Sequence, residues 1–410
     1  MGVEFSMAAE KKKRVWLRRL GLASGALCFS LLMIEIALRV LGFSYPITTQ
    51  RDPNRGYTYI PNFEWVHTTE GFAHIRTNKY GFRDDEWSVK KPDATVRIAV
   101  LGDSFVEANQ IEKSKRLTEL LEARLGKHPL FEGQNVEVMN FGMSGYGTAQ
   151  ELMTFRHEVK KFKPDYVIVG LLTGNDIRNN SEKLEGDAIR PYFVEKNGEL
   201  VLDDSFRNES QSLVKSIGYT TARWTRIGQV AFRVYHGIKV RANIRQANAK
   251  SSRESRLIEK GLAEPGIGTW IYGEPTDDDQ RKAWKVTEGL LTKLQTEVRE
   301  CGAELFVVVL SNAIQVHPEK SSREEFQQIA EIDDLFYPDN RVATACRKAG
   351  IPVLPLAPKL QLRAQQENVF LHGFANTVEG QGHWNEKGHA MASELIGDWF
   401  LQHATRVASR

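Results

Sequence analysis

The sequence predicts an α/β fold, a three-layer α/β/α sandwich with a central parallel sheet. Two observations predict it. Short apolar, β-branched runs recur at 95–102, 135–142, 165–172, 303–311 and 351–356, and helix-period stretches separate most of them. Such runs have no polar face, so strands made from them are buried on both sides, and crossover helices between them make the strands parallel. A third observation is positional. Glycine-, asparagine- and histidine-bearing turns follow the runs or precede the last helix, and in a parallel sheet the carboxyl ends of the strands share one edge.

The totals bound the chemistry. The 410 residues are 41% apolar and 26% charged, the composition of a folded protein. A formal charge of +3 gives no reason to expect nucleic acid as a partner. Cys28, Cys301 and Cys346 are odd in number and lack C-x-x-C spacing, which argues against a disulfide framework and a zinc site. Cys301 and Cys346, each near a helix end, read as small buried apolar residues.

In chain order the first element is an anchor. The basic stretch "KKKRVWLRR" (11–19) precedes fifteen uncharged residues, "LGLASGALCFSLLMI" (20–34), and then "EIALRVLGF" (35–43). Glu35 and Arg39, spaced i and i+4 with the acid first, pair on one helix face, so the span extends to an adequate length. A cleaved signal peptide is the rival reading. No A-x-A-like site follows the apolar run, and Leu27 is too bulky for lipoprotein processing at Cys28, so an uncleaved anchor is preferred. Residues 1–19 then form a cytoplasmic basic N-terminus and 20–42 a single transmembrane helix. Lys11, Lys12, Lys13, Arg14, Arg18 and Arg19 keep the N-terminus inside, and the rest of the chain is extracytoplasmic, periplasmic or extracellular.

Residues 43–94, with Pro46, Pro53, Pro61 and Pro92 and little periodicity, read as a juxtamembrane segment that wraps the domain. The sandwich occupies 95–180 and 280–410, with helices expected over 116–125, 148–162, 279–301, 340–350 and 388–403. Residues 181–279 interrupt it as a basic, mostly helical insertion. Nine Lys or Arg and no Asp or Glu fall between Gln211 and Arg253. Leu213, Ile217, Trp224, Ile227, Ala231, Val234 and Ile238 make one helical stripe. The preferred reading is a helical subdomain packing that stripe on the core; contact with anionic lipid or an acidic polymer is the alternative.

Four turns carry reactive groups: Gly102-Asp103-Ser104 after the first strand, Gly142 in "NFGMSGYG" after the second, Gly174-Asn175-Asp176 after the third, and His383 in "GQGHWNEKGH" before the last helix. Singly, each has a structural explanation as cap, turn or loop residue. Jointly they supply an acyl-transfer site. Ser104 Oγ attacks a carbonyl, His383 moves its proton, and the N–H groups of Ser104 and Gly142 with the Asn175 amide bind the oxyanion. Asp103 is assigned to cap hydrogen bonding and Asp176 to bracing the Asn175 loop. His317 has no partner at ligand spacing, and neither a metal nor a cofactor is implied.

On these four blocks, "GDSF" (102–105), "NFG" (140–142), "GND" (174–176) and "HWNEKGH" (383–389), the sequence resembles the SGNH, or GDSL-type, hydrolase superfamily. The resemblance covers roughly 75–403, interrupted by the insertion. It implies a flavodoxin-like sandwich and hydrolysis or transfer of O-acyl groups on acylated small molecules, lipids or glycans. It also places Ser104 as nucleophile, His383 as base, and Gly142 and Asn175 as oxyanion donors. One departure stands out. The family places an Asp three residues before the His, and here that residue is Gly380. Three arrangements are open: Glu379 orients the imidazole, a backbone carbonyl does so in a Ser–His dyad, or nothing does and catalysis is weak. The dyad ranks first because the other elements are intact. The expectation is therefore a membrane-anchored exported serine hydrolase. The alternatives are an O-acetyltransferase or esterase modifying cell-surface polysaccharide, and a non-catalytic membrane-tethered binding or assembly protein.

Overall fold

A computed structural model describes residues 2–208, 213–248, 252–264 and 266–404. Gln211 and the side chains of Lys11, Lys12, Lys13 and Leu213 lie outside the described residues. The chain divides into two compact units, Met1–Ile47 with Ser210–Ala247, and Thr48–Glu209 with Asn248–Arg410.

In the first unit a single helix, Gly2–Val40, contains the stretch Arg14–Val40, which is long and apolar enough to cross a membrane. It stops at Gly42, whose φ of 72° closes the last turn. Two further helices, Leu213–Trp224 and Arg226–Asn248, belong to the same unit. The expected stripe is divided between these two helices at Thr225, and Ile217, Trp224, Ala231, Val234 and Ile238 are exposed.

The second unit is built on five strands: β1 (Thr95–Gly102), β2 (Asn135–Gly142), β3 (Tyr166–Leu172), β4 (Glu304–Leu310) and β5 (Val353–Pro355). Their order is β5-β4-β3-β1-β2, all parallel. Successive β1 residues enter opposite cores, Ala99 and Leu101 on one side and Ile98 and Val100 on the other. The first core is closed by helices Thr148–Thr154, Asp278–Glu300 and Tyr337–Lys348. Helices Leu117–Leu125, Ala357–Glu367 and Glu386–His403 close the second. The chain reverses direction across the sheet at β1, so the carboxyl end of β1 borders the crevice between β1 and β3 where such sheets bind ligands.

Residues 181–279, expected to be mostly helical, also contain an antiparallel hairpin, Tyr192–Lys196 with Glu199–Asp203. Two expectations change. The stretch 148–162 leaves the α-helix after Thr154 through a wider turn, Phe155–Val159. Cys346 is buried as expected, whereas Cys301 caps the helix Asp278–Glu300 and is exposed. The wrapping segment also has structure of its own. It forms two antiparallel hairpins, Thr49–Asp52 with Gly56–Tyr59 and Glu64–His67 with Ala73–Arg76.

Candidate active site

Strand β1 delivers Ser104. Gly102 is packed under Val106, where a Cβ would lie 2.4 Å from the Val106 Cγ2, so no larger residue fits the turn. Asp103 accepts the Phe105 N–H at 2.8 Å and caps the four-residue helix Ser104–Glu107. Its other oxygen accepts from Asn175 Nδ2 at 2.9 Å. This is the cap role read from the sequence, and it also ties the first and third turns together. Ser104 is 8% exposed, its hydroxyl facing a cavity.

His383 lies across that cavity with Nε2 2.8 Å from Ser104 Oγ. Its Nδ1 meets Glu70 Oε2 at 2.5 Å, and its backbone N–H donates to Glu70 Oε1 at 2.7 Å. The carboxylate accepts the Nδ1 proton, which leaves the Nε2 lone pair for the serine hydroxyl. Burial raises the Glu70 carboxyl, but the hydrogen bonds and charge of His383 outweigh it and hold Glu70 below the usual carboxylate range.

Both partners are fixed from behind. Glu70 sits in the hairpin loop 68–72, and Asn376 pins that loop by accepting the Gly71 N–H at 2.8 Å and donating to the Thr68 and Gly71 carbonyls. The Gly382 carbonyl accepts from His372 Nδ1 at 2.7 Å. Burial pushes His372 down to about 4, so it is a neutral donor here. Gly382 has φ 76°, and a Cβ there would lie 2.2 Å from Glu70 Oε1. Two independent demands, backbone and clearance, therefore select glycine.

Two expected residues lie elsewhere. Glu379, one of the three arrangements left open by the sequence, is exposed and lines a separate hollow with Phe374 and Asn376; Glu70 meets the imidazole instead, so the structure forms neither the Glu379 contact nor the Ser–His dyad ranked first. Gly142 lies below the site. Its N–H donates to Asn140 Oδ1 at 2.8 Å, and a Cβ would lie 2.4 Å from the Glu107 nitrogen. It makes room for the nucleophile's helix and presents no free donor. Gly145, three residues on, lines the cavity beside Ser104, Asn175 and His383. The Ser144 carbonyl of the same peptide unit accepts the Tyr57 hydroxyl at 2.9 Å, and among the described residues the Gly145 N–H has no acceptor. Gly145 is the second glycine of the glycine-dense turn 140–147, so the sequence held this signal. Glu70 had none, lying 313 residues from its partner in an aperiodic stretch.

The remaining expected residues come together. Asn175 reaches the cavity wall. Asp176 Oδ2 accepts the Leu172 N–H at 2.9 Å and so braces that loop. Burial raises Asp176 well above the usual range, with Glu151 and Asp103 adding to the effect. The cavity is about 250 Å³, with Phe105, Leu172, Ile267 and Ala313 as its apolar wall. Ile267 comes from the stretch read as an insertion. Nearby Glu264 accepts the Ile314 N–H at 3.0 Å and the Tyr272 hydroxyl at 2.8 Å, which holds that wall in place.

Residues 98–251 match the family model of GDSL-like lipases/acylhydrolases. No curated protein matches the chain. Among solved structures, TesA is 12% identical at a TM-score of 0.34, over 74% of this chain and 97% of its own. Axe2, an acetylxylan esterase from Geobacillus stearothermophilus, is 10% identical at a TM-score of 0.36, over 77% and 97%. The acetyl xylan esterase AlAXEase is 8% identical at 0.35, over 76% and 100%. Likenesses at these scores carry no weight beside the geometry.

Proposed function

We propose that the chain, whose residues 98–251 match the family model of GDSL-like lipases/acylhydrolases, is a membrane-anchored serine esterase cleaving short O-acyl esters through Ser104, His383 and Glu70. The observation that carries this reading is the unbroken line of hydrogen bonds from Glu70 through His383 to Ser104 at the cavity.

Ser104 Oγ attacks the ester carbonyl while His383 Nε2 takes its proton, and Glu70 stabilises the resulting imidazolium without itself becoming protonated. The carbonyl π electrons move onto oxygen. The N–H groups of Ser104 and Gly145 and one N–H of Asn175 Nδ2 bind that oxyanion. Gly145 takes the place expected of Gly142. Collapse expels the alcohol, which receives the proton from His383. Water then repeats the sequence on the acyl-serine and releases the acid.

Two further points follow in the same reading. A cavity of about 250 Å³ walled by Phe105, Leu172 and Ile267 suits a short acyl group. Arg14–Val40, 27 residues long, spans about 40 Å as a helix, enough to cross a hydrocarbon core of about 30 Å. The basic residues before it favour a cytoplasmic N-terminus, which puts the esterase domain outside the cytoplasm. The test is a series of p-nitrophenyl esters assayed on the full chain. Acetate should turn over, Ser104→Ala and His383→Ala should not, and kcat/KM should fall by roughly tenfold or more from acetate to octanoate. Equal rates for parent and Ser104→Ala would overturn the proposal.

A further inference from the structure

The anchor helix does not stand alone in its unit. Glu35 accepts the backbone N–H groups of Arg226 and Ile227, at 3.0 Å each, and so caps the helix Arg226–Asn248. Arg39, paired with Glu35, donates to the carbonyl of Trp224 at 3.2 Å, the last residue of the helix Leu213–Trp224. Just past the anchor, Ser44 Oγ accepts from Arg226 at 2.7 Å, Gln229 Oε1 accepts the Tyr45 N–H at 2.9 Å, and the Arg233 guanidinium lies 3.7 Å over the Tyr45 ring. The break between the two helices is thus fastened to the end of the apolar span, about 7 Å of helix before Val40. A bilayer crossed by that span has its headgroup boundary at this level.

The helices fastened there expose an apolar face. Ile217 is 57% exposed, Trp224 70%, Val234 56% and Ile238 63%. Ile217 and Trp224 lie seven residues apart on the first helix, and Val234 and Ile238 four apart on the second, so each helix carries an exposed apolar face, and such a face is stable only when something apolar covers it. The same two helices carry seven Lys or Arg and no Asp or Glu. A second copy would set like charge against like charge. An acidic polymer would satisfy the cations and leave the apolar faces in water. A bilayer with anionic headgroups satisfies both, and it places Trp224 at the depth where tryptophan is favoured.

We infer that the helices Leu213–Trp224 and Arg226–Asn248 form a second membrane element, lying in the interface of an anionic bilayer with their apolar faces toward the acyl chains. This rests on the anchor reading of Arg14–Val40. The consequence is a chain held to the surface at two points, one spanning and one lying flat.

The full chain is reconstituted into vesicles carrying a phospholipid with a photoreactive group on its acyl chain, made with or without an anionic glycerophospholipid, and crosslinked residues are mapped. The inference expects crosslinks in 20–40 and also in 217–238, the latter several-fold stronger with the anionic lipid. A Val234→Asp/Ile238→Asp variant should lose the 217–238 crosslinks by about tenfold while retaining esterase turnover and those in 20–40. Crosslinks in 20–40 alone would overturn the inference and leave the anchor standing. Crosslinks in neither segment would overturn the anchor reading and this inference with it. Labelling of 217–238 that ignores headgroup charge would overturn the electrostatic part, and protection of that segment together with a dimer would assign the face to a second copy.

Discussion

Replacing Glu70 with Gln alters one atom and reverses the polarity of the bond that orients His383. The Gln carbonyl oxygen can keep the His383 backbone N–H that Glu70 Oε1 holds at 2.7 Å, so the loop retains its shape. The Gln nitrogen then faces Nδ1 where Oε2 stood at 2.5 Å, and a donor there requires a lone pair on Nδ1. The ring proton moves to Nε2, opposite Ser104 Oγ at 2.8 Å, and the serine loses its proton acceptor. In Ser-His-Asp sites the wrong tautomer costs about 10⁴ in turnover. Here the His383 and Glu70 side chains are 26% and 19% exposed, so water can partly substitute and the ring can turn. The expected loss is about 10²–10⁴ in kcat, or about 3–5 kcal/mol of barrier. KM should stay near the parental value, because Glu70 does not line the cavity. Steady-state hydrolysis of p-nitrophenyl acetate by the full chain reads both constants. A Glu70→Gln enzyme within about threefold of the parent would refute the assignment and restore the dyad.

Two other substitutions probe the supports. Gly382→Ala sets a Cβ 2.2 Å from Glu70 Oε1 at a residue with φ 76°, so kcat should fall at least about 10²-fold, with a stability loss of about 1–2 kcal/mol by urea titration; parental kcat would show that Glu70 need not sit there. Asp339 is fully buried and pushed up to about 8 by that burial, with Gln315 Nε2 donating to one oxygen at 2.5 Å. Its folded value lies above the unfolded value of about 4, so its contribution to stability is present at low pH and lost as pH rises through about 4 to about 8. Asp339→Asn should flatten this decline and raise the urea midpoint above the parent's near pH 8; an unchanged difference between about pH 5 and pH 8 would contradict the account.

The sheet was legible because its strands are nearly pure apolar runs. The expected 95–102 and 135–142 coincide with Thr95–Gly102 and Asn135–Gly142, and the others differ by at most two residues at either end. Ser104, Asn175 and His383 were legible because each stands in a turn next to a strand or helix whose position periodicity fixes. Gly142 was assigned from its place at a strand end; only the third dimension shows that its N–H goes to Asn140 and that Gly145 faces the cavity. Glu70 was illegible for a different reason. A hairpin loop has no periodicity, and nothing in "HTTEGF" tells a solvated glutamate from one that meets a histidine across the fold. The stripe from Ile217 to Ile238 was legible as amphipathic, but periodicity reports that a face is apolar and not what covers it.

The most direct test of the central claim is covalent. The full chain is treated with a fluorophosphonate, which phosphonylates only an activated serine, and the modified peptide is mapped beside His383→Ala and Glu70→Gln. The account predicts a single adduct on Ser104, formed by the parent and slowed in both variants. No adduct on Ser104, or one formed equally fast without His383, would contradict it.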